Sequence, residues 1–303
     1  MPFNPVTDNH LIKLPYSFGV ELFLKREDKI HPFISGNKFR KLKYNLIEAQ
    51  NQKQNTLLTF GGAYSNHIAA VASAGKEFGF KSIGILRGEE LTSKISENPT
   101  LSFARECGMQ FKFVSRDVYR TKTSVEFLNA LEAEFNEFYL IPEGGTNDLA
   151  VKGCEEILTT EDKIFDFVCC AVGTGGTISG LINASFPHQK ILGFPALKGD
   201  FLQKDISKFV SNSNWELITD YHFGGYAKIN SKLIEFINKF KLEYNIPLDP
   251  IYTGKMMYGI FDLIEKNYFP KGSKILVIHT GGLQGIDGMN IHLKQKKLPL
   301  IIK

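Results

Sequence analysis

Short apolar runs rich in β-branched residues alternate with segments of helical spacing along most of the chain after residue 40. The pattern predicts strands at 55–60, 81–88, 110–114, 138–145, 165–172, 190–197 and 273–282. It predicts helices at 65–79, 99–108, 124–135, 147–158, 178–186, 231–244 and 254–269. Strands that alternate with helices at this spacing imply right-handed crossovers and mainly parallel sheets covered on both faces. We therefore predict an α/β protein built from two such units.

Length and charge exclude several classes of protein. With 303 residues, 43% of them hydrophobic, the chain suits one large domain or two modest ones. Its net charge of +4 is spread thinly, without the concentrated basic stripe of a nucleic-acid-binding protein. No run approaches the roughly 20 apolar residues of a membrane span, and the first residues lack a secretory pattern. We expect a cytoplasmic protein that binds neither nucleic acid nor membranes.

The four cysteines, Cys107, Cys154, Cys169 and Cys170, lack the spacing of a zinc site or a redox motif. We predict no metal site and reduced thiols. Cys169 and Cys170 fall in the apolar run 165–172, where strand alternation would point neighbouring thiols to opposite faces of a sheet.

The segment SGNKFRKL, residues 35–42, leads into a helical pattern and places Lys38 at or near the first turn. A lysine beside the positive end of a helix dipole is disfavoured in its charged form. A lysine kept partly neutral can attack the carbonyl group of a cofactor. The alternative is a solvated basic helix start, which Arg40, Lys41 and Lys43 fit well.

Two glycine-containing loops join predicted strands to predicted helices. In FGGAYSNH, residues 60–67, backbone N–H groups can hold a carboxylate while Ser65 and Asn66 face the ligand. The alternative is that Ser65 or Asn66 only caps the helix. In GTGGT, residues 173–177, three glycines and two threonines suit a phosphate group, or else form a tight turn without a ligand. The absence of P-loop and dinucleotide fingerprints favours a phosphorylated cofactor smaller than a nucleotide.

Three further stretches carry candidate residues: FGGY with Tyr226, YTGK with Tyr252 and Thr253, and HTGG with Thr280. Ligands in open α/β folds bind beyond the carboxyl ends of strands, which is where YTGK and HTGG are expected. A buried tyrosine with a satisfied hydroxyl is the alternative for Tyr226 and Tyr252.

Taken together, these stretches resemble the pyridoxal-phosphate (PLP) enzymes of the tryptophan-synthase-β fold group. Within that group they resemble the branch of 1-aminocyclopropane-1-carboxylate (ACC) deaminase and D-cysteine desulfhydrase. LFLKREDKIHPFISGNKFRKLKYNL is similar to the lysine segment of this branch, and TFGGAYSNH, IPEGGTND, AVGTGGT, DPIYTGK and HTGG match further blocks in order. The resemblance implies PLP fold type II, with two three-layer α/β/α domains and mainly parallel sheets. It places a larger domain at 1–46 plus 153–303 and a smaller inserted domain at 47–152, in a homodimer.

The resemblance also implies roles around the cofactor, pyridoxal 5′-phosphate. Lys38 would attach the cofactor covalently and then move the substrate proton, with Arg40 and Lys41 close to the anionic cofactor. The cofactor-binding residues would be Lys38, Asn66 at the 3′-oxygen, Thr253 near the pyridine nitrogen, Thr280, and Gly173, Thr174, Gly175, Gly176 and Thr177 around the phosphate. The substrate-side residues would be Tyr64, Ser65, Asn66, His67, Tyr226 and Tyr252, of which Ser65, Tyr226 and Tyr252 would also be catalytic.

Departures from the family pattern bear on the substrate. Tyr64 stands where the family often has Gln, and Thr253 and Thr280 stand where ACC deaminases have Glu and Leu. A neutral Thr supports a protonated pyridine nitrogen less than a carboxylate does, which suits an easy β-elimination. We predict a lyase that converts a small amino acid, D-cysteine, into pyruvate, ammonia and sulfide. The alternatives are ACC deaminase, a D-serine-type dehydratase and a non-catalytic binder of a phosphorylated ligand.

Overall fold

Ten β-strands and eleven α-helices form within residues 5, 7–14, 16 and 18–303, the part of the chain that this computed structural model describes. The strands are β1 (Asn9–Ile12), β2 (Glu21–Lys25), β3 (Thr56–Gly61), β4 (Lys81–Arg87), β5 (Gln110–Val114), β6 (Tyr139–Ile141), β7 (Phe167–Val172), β8 (Lys190–Pro195), β9 (Trp215–Leu217) and β10 (Lys274–Ile278). The α-helices are α1 (Asn37–Asn51), α2 (Asn66–Phe78), α3 (Pro99–Glu106), α4 (Arg116–Arg120), α5 (Val125–Phe135), α6 (Asp148–Glu155), α7 (Gly176–Ala184), α8 (Phe201–Ile206), α9 (Ser231–Tyr244), α10 (Thr253–Glu265) and α11 (Gly285–Gln295). Short 3-10 helices lie at Glu27–Lys29, Glu89–Glu97, Glu143–Gly145, Thr160–Ile164 and Thr219–Tyr221. Residues 1–4 lie outside the described residues. They are part of the predicted larger domain and of the stretch that was tested for a secretory pattern.

The strands form two separate sheets. The larger sheet has the order β1-β2-β10-β7-β8-β9, in which β1 is antiparallel to β2 and the other pairs are parallel. The smaller sheet has the order β5-β4-β3-β6 and is wholly parallel. Parallel strands end at the same edge of a sheet, which is the edge where ligands bind. The loops after β3 and β6 therefore lie at the ligand-side edge of the smaller sheet, and the loops after β7 and β10 lie at that of the larger sheet.

Helices cover both faces of the larger sheet. Cys169 packs in the apolar cluster that includes α9, α10 and α11, whereas Cys170 packs in the cluster that includes α6, α7 and α8. The two thiols therefore point to opposite faces of β7, as strand alternation predicts. Burial of both faces also explains why β7 is a continuous apolar run.

The smaller sheet is covered in the same way. Leu57 packs with α1, α2 and α3, while its neighbour Leu58 packs with α4 and α5 on the other face. The predicted architecture, two α/β/α units with mainly parallel sheets, is confirmed. The predicted inserted domain, 47–152, encloses all four strands of the smaller sheet, and its limits stay a prediction.

Every predicted strand and helix overlaps an observed one, but several short or flanking elements were not predicted. These are β1, β2, β9, α4, α8 and α11. β9 has only three residues, all half-buried, which is too short for a recognisable period. Within the described residues, no helix combines the length and the apolar character needed to cross a membrane.

Candidate active site

Two loops at the carboxyl ends of parallel strands carry many of the candidate residues. Residues 62–66, called the serine loop here, join β3 to α2. Residues 173–177, called the glycine loop, join β7 to the first turn of α7. The loops belong to different sheets, and α1 packs against both helices that follow them. The start of α1 therefore lies where the two sheets can contribute to one site.

Lys38 lies in the first turn of α1, as predicted. Its Nζ donates to the carbonyl oxygen of Gly144, in the loop after β6, at 3.2 Å. Desolvation lowers the pKa of Lys38 well below its usual range, and the charge of Lys41 lowers it further, while Cys154 opposes the shift. An amine with a depressed pKa is partly neutral, which is the state that attacks a carbonyl group.

Lys41 follows Lys38 on the same face of α1 but is bonded differently. Its Nζ donates to Gly144 O at 3.0 Å, to Thr146 Oγ1 at 2.9 Å and to Thr174 Oγ1 at 3.4 Å. Three acceptors match the three N–H groups of an ammonium. Lys41 is therefore held in place beside the glycine loop, as expected, whereas Lys38 has a single such bond among the described residues.

The expected place of Arg40 beside the cofactor gains no support, because its guanidinium is bonded to a different group. Two residues along a helix correspond to a rotation of about 200°, so Arg40 points away from the face that carries Lys38. Its guanidinium makes a two-pronged pair with Glu27, with both N···O distances at 2.9 Å. Arg40, Lys41 and Lys43 are only 4%, 2% and 8% exposed, so the alternative of a solvated basic helix start is wrong.

The glycine loop has the features of an anion site. Gly175 is the N-cap of α7 with φ +86°, and it has no side chain to accept from the first N–H groups of the helix. The hydroxyls of Thr146 and Thr174, 2.6 Å apart, lie beside the ammonium of Lys41. A Cβ on Gly176 would lie 2.9 Å from Thr146 Oγ1 and 3.1 Å from Lys41 Nζ, so the glycine keeps this space open. N–H groups, hydroxyls and an ammonium around one space suit a phosphate.

Asn37 connects the lysine turn to two other stretches, although it was not among the predicted site residues. Its Nδ2 donates to Thr177 Oγ1 at 2.8 Å, and its backbone N–H donates to the carbonyl oxygen of Thr280 at 3.2 Å. Thr177 and Thr280 were predicted cofactor-binding residues, and the structure brings both to the start of α1. The position of Asn37 beside Lys38 in SGNK was the available signal.

The serine loop closes the start of its own helix. Ser65 Oγ accepts from the N–H groups of His67 and Ile68 at 3.2 and 3.4 Å, so Ser65 caps the helix, a role that does not exclude binding a ligand. Asn66 Oδ1 accepts from Gln284 Nε2 at 2.5 Å, which leaves the Asn66 Nδ2 group as a donor. Gln284, just before α11, was not predicted, because it has no partner nearby in the sequence.

Tyr64 and His67, both predicted on the substrate side, make their contacts elsewhere. The Tyr64 ring packs so closely on the backbone of α11 that Gly288 has no room for a Cβ. His67 is only 2% exposed, and its Nε2 lies 2.8 Å from Thr59 Oγ1 in β3. The substrate-binding roles of Tyr64 and His67 stay predictions.

Tyr226 and Tyr252 stand edge to face, with ring centroids 6.3 Å apart. Tyr252 lies against the glycine loop, where a Cβ on Gly173 would lie 3.3 Å from its hydroxyl oxygen. Tyr226 is 44% exposed, but desolvation at its hydroxyl end raises its pKa, as burial raises that of Tyr252, so both hydroxyls keep their protons. Lys255 Nζ holds the loop that carries Tyr226 by donating to Gly225 O at 2.8 Å. Burial lowers the pKa of Lys255 to about 8, although the charge of Asp249 opposes this shift.

Thr253 is fully buried at the start of α10 and is bonded to Asp249. Its hydroxyl donates to Asp249 Oδ2 at 2.7 Å and accepts from the Asp249 N–H at 2.9 Å. Because its only hydroxyl hydrogen is used, Thr253 can only accept a hydrogen bond from a further group. Asp249 was not a predicted site residue, although an aspartate just before a helix is a common start signal.

Comparisons with known proteins agree with this arrangement. The family model described as "Pyridoxal-phosphate dependent enzyme" matches residues 4–281. The chain is 34% identical to the bifunctional D-cysteine desulfhydrase/1-aminocyclopropane-1-carboxylate deaminase, mitochondrial, of Arabidopsis thaliana, over 88% of this chain and 74% of that protein. It is 32% identical to the putative 1-aminocyclopropane-1-carboxylate deaminase of Pyrococcus horikoshii, over 96% of this chain and 92% of that protein.

Comparison of structures gives the same result. A crystal structure of an ACC deaminase homologue superimposes with a TM-score of 0.82 and 30% identity, covering 98% of this chain and 94% of that one. The expected fold, PLP fold type II, and the expected cofactor, pyridoxal 5′-phosphate, are confirmed. The chain belongs to the family of pyridoxal-phosphate dependent enzymes.

Proposed function

We propose that this enzyme is a lyase that eliminates the β-substituent of a small amino acid, with D-cysteine as its substrate. Pyruvate, ammonia and sulfide would be the products. The observation that carries the proposal is the difference between two lysines in the first turns of α1. Desolvation lowers the pKa of both lysines, and that of Lys38 falls well below its usual range. Among the described residues Lys38 has one bond, to Gly144 O, whereas Lys41 has three acceptors. Of the two, Lys38 is the amine that is able to react and move.

The residues present fit pyridoxal 5′-phosphate. The first N–H groups of α7 and the hydroxyls of Thr174 and Thr177 would hold the phosphate, and Lys41, which donates to Thr174, would keep that hydroxyl in place. Asn66 Nδ2 would donate to the 3′-oxygen, and Thr253 would accept from the pyridine nitrogen. When bound, the cofactor supplies an electron sink for the α-carbon of the substrate.

The remaining side chains would handle the substrate and its protons. Lys38 would attach the cofactor and, as a free amine, remove the α-proton of the substrate. Ser65 and the backbone N–H groups of the serine loop would bind the carboxylate. Tyr226 and Tyr252 would both face the leaving group, with the Tyr226 hydroxyl as the hydrogen-bond donor, because the Tyr252 hydroxyl donates to that of Tyr226. Desolvation raises the pKa of both tyrosines, and this hydrogen bond raises the pKa of Tyr252 further and opposes the rise in that of Tyr226.

The pairing of Thr253 with Asp249 supports elimination rather than ring opening. Thr253 offers a neutral acceptor, which supports a protonated pyridine nitrogen less than a carboxylate in direct contact would. The α-proton of D-cysteine can be removed with moderate electron withdrawal. ACC has no α-hydrogen, so opening its ring depends more strongly on the electron sink.

A homodimer in the cytoplasm is part of this proposal; the dimer is implied by the family resemblance alone. The four cysteines are free thiols, which suits a reducing compartment. Light scattering would support the dimer if it gives about twice the 34.1 kDa mass of the chain.

A substrate panel tests the proposal. We expect D-cysteine to give the highest kcat/KM among D-cysteine, L-cysteine, D-serine and ACC, with pyruvate and sulfide formed in equal amounts. Lys38→Ala should abolish this turnover. The fastest turnover with ACC, measured as 2-oxobutyrate, would contradict the choice of substrate. Binding of PLP without turnover of any amino acid would contradict the lyase itself.

A further inference from the structure

The imidazole of His67 carries a buried nitrogen that no role assigned so far uses. The side chain lies in the first turn of α2 and is 2% exposed. Its Nδ1 has no hydrogen-bond partner within the part of the chain that the structure describes. Buried polar nitrogens are nearly always bonded, because an unpaired one costs about 1–3 kcal/mol. The orphaned Nδ1 therefore needs an explanation.

Thr59 determines which nitrogen of His67 carries the proton. The Thr59 hydroxyl donates its only hydrogen to the carbonyl oxygen of Ile141 at 2.8 Å. The same oxygen lies 2.8 Å from His67 Nε2, so it must accept from an Nε2–H group. The neutral ring then has a bare lone pair on Nδ1. The unpartnered atom is thus an acceptor.

This acceptor lies next to the peptide that Lys38 contacts. A Cβ on Gly145 would lie 3.2 Å from His67 Nδ1, while Lys38 Nζ donates to the carbonyl oxygen of Gly144. Burial lowers the pKa of His67 well below its usual range, and the charges of Lys38 and Lys41 lower it further. The smallest contribution, a hydrogen bond to the Pro142 carbonyl that would stabilise the protonated ring, opposes the shift. His67 therefore stays neutral and keeps its lone pair.

We propose that His67 Nδ1 and the carbonyl oxygen of Gly144 form an acceptor pair that receives the N–H groups of Lys38 when this residue carries a proton. The inference rests on the proposed function, in which Lys38 removes the α-proton. In this inference His67 is a positioning residue that acts through Lys38, in place of the substrate-binding role predicted from the sequence.

The proton balance shows when the pair would act. The lone pair of the neutral Lys38 amine takes the α-proton, and the electron pair of the broken C–H bond stays with the substrate and cofactor. Lys38 is then an ammonium with three N–H donors, of which two would go to Gly144 O and His67 Nδ1. Two groups act on the pKa of Lys38, Lys41 on α1 and Cys154 on α6. Neither provides such an acceptor, because the Lys41 amine already donates to three groups and burial raises the pKa of Cys154 to about 11. His67 returns no proton of its own.

Two amide substitutions separate the two nitrogens of His67. In His67→Gln the longer amide can reach Thr59 but leaves nothing at the position of Nδ1. In His67→Asn the shorter amide places its oxygen near the position of Nδ1 and gives up Thr59. Loss of an acceptor for an ammonium lowers the pKa of Lys38, by about one unit. The acidic limb of the kcat profile should move down by about one unit in His67→Gln and by less than half of that in His67→Asn.

A measurement without turnover makes the test independent of the proposed reaction. The rate at which cofactor-free protein captures PLP depends on neutral Lys38, so the midpoint of its pH dependence should show the same downward shift in His67→Gln. In the holoenzyme labelled with ¹⁵N-histidine, the NMR signals of His67 should show a protonated Nε2 and a bare Nδ1. The same signals should be absent from His67→Gln, which assigns them among the seven histidines.

Three results separate this inference from the proposed function. An Nδ1–H form that donates to the Pro142 carbonyl would overturn the inference, and so would unchanged midpoints in His67→Gln. Failure of every amino acid on the panel would overturn the lyase, while the NMR and capture data would still decide the role of His67. If His67→Gln does not fold, Thr59→Val takes its place, because it frees the tautomer without removing the ring. Thr59→Val should then give mixed tautomers of His67 and a smaller downward shift of the pH midpoints.

Discussion

The serine loop and the glycine loop occupy equivalent places in their sheets but complete their helices differently. Each follows a parallel strand and leads into a helix. Ser65 accepts from two N–H groups of α2, so this helix is capped by the chain itself. Gly175 provides no such cap, and the first N–H groups of α7 face the space beside Thr174 and Lys41.

The difference indicates how long each loop would hold its anion. A helix that is capped by its own side chain is complete without a ligand and suits an anion that binds and leaves. A helix without a cap gains most from an anion that stays. Under the proposed function, the two loops match a substrate carboxylate and a cofactor phosphate.

The largest expected effect comes from filling the glycine loop. Gly176→Ala would place a Cβ 2.9 Å from Thr146 Oγ1 and 3.1 Å from Lys41 Nζ. Overpacking costs about 1–3 kcal/mol, so PLP affinity should fall roughly 10- to 100-fold in an absorbance titration. Gly62→Ala in the serine loop is the matched control, because the nearest atom of the described residues to its Cβ would be Arg87 Nη2, at 3.9 Å. Equal losses of PLP affinity in Gly176→Ala and Gly62→Ala would contradict the difference between the two loops.

Removing the charge beside the glycine loop should have the next largest effect. Lys41→Met removes the ammonium that contacts Thr146 and Thr174, and PLP affinity should fall about tenfold. Because the charge of Lys41 lowers the pKa of Lys38, the same change should raise that pKa and move the acidic limb of the activity profile to higher pH. Lys81→Met, at an exposed position, is the control. A limb that stays in place or moves to lower pH would contradict the assigned role of Lys41.

The smallest effect is expected in the serine loop. Ser65→Ala removes the cap of α2 and should lower the free energy of unfolding by about 1 kcal/mol. It should also raise KM, while PLP affinity stays unchanged. Ser124→Ala is the matched control, because Ser124 caps α5 through the N–H of Phe127. In urea, Ser124→Ala should lose a similar free energy of unfolding, and its KM should not change. A loss of PLP affinity in Ser65→Ala would contradict the separate roles of the two loops.

Local periodicity explains which parts of the structure the sequence could predict. The strand and helix units, the opposite orientations of Cys169 and Cys170 and the place of Lys38 in the first turn of α1 all depend on residues near one another in the chain. The burial of the basic residues in α1 could not be predicted in this way. Arg40 is buried because it pairs with Glu27, which lies in the 3-10 helix before α1.

Contacts between distant segments account for the residues that were not predicted. Asn37 meets Thr177, 140 residues away, and Asn66 meets Gln284, 218 residues away. The acceptor role of Thr253 depends on the exact partner of its hydroxyl hydrogen, Asp249, which no periodicity reveals. The resemblance to a known family supplied candidate residues, but the partners of those residues became visible only in the folded chain.

The central claim is that Lys38, and not the neighbouring Lys41, attaches the cofactor. Borohydride reduction of the holoenzyme followed by peptide mapping tests it most directly, because reduction makes the bond between lysine and cofactor permanent. We predict that the cofactor mass is found on Lys38 and that Lys38→Ala loses both the adduct and the visible band. An adduct on Lys41, or an adduct that persists in Lys38→Ala, would contradict the account.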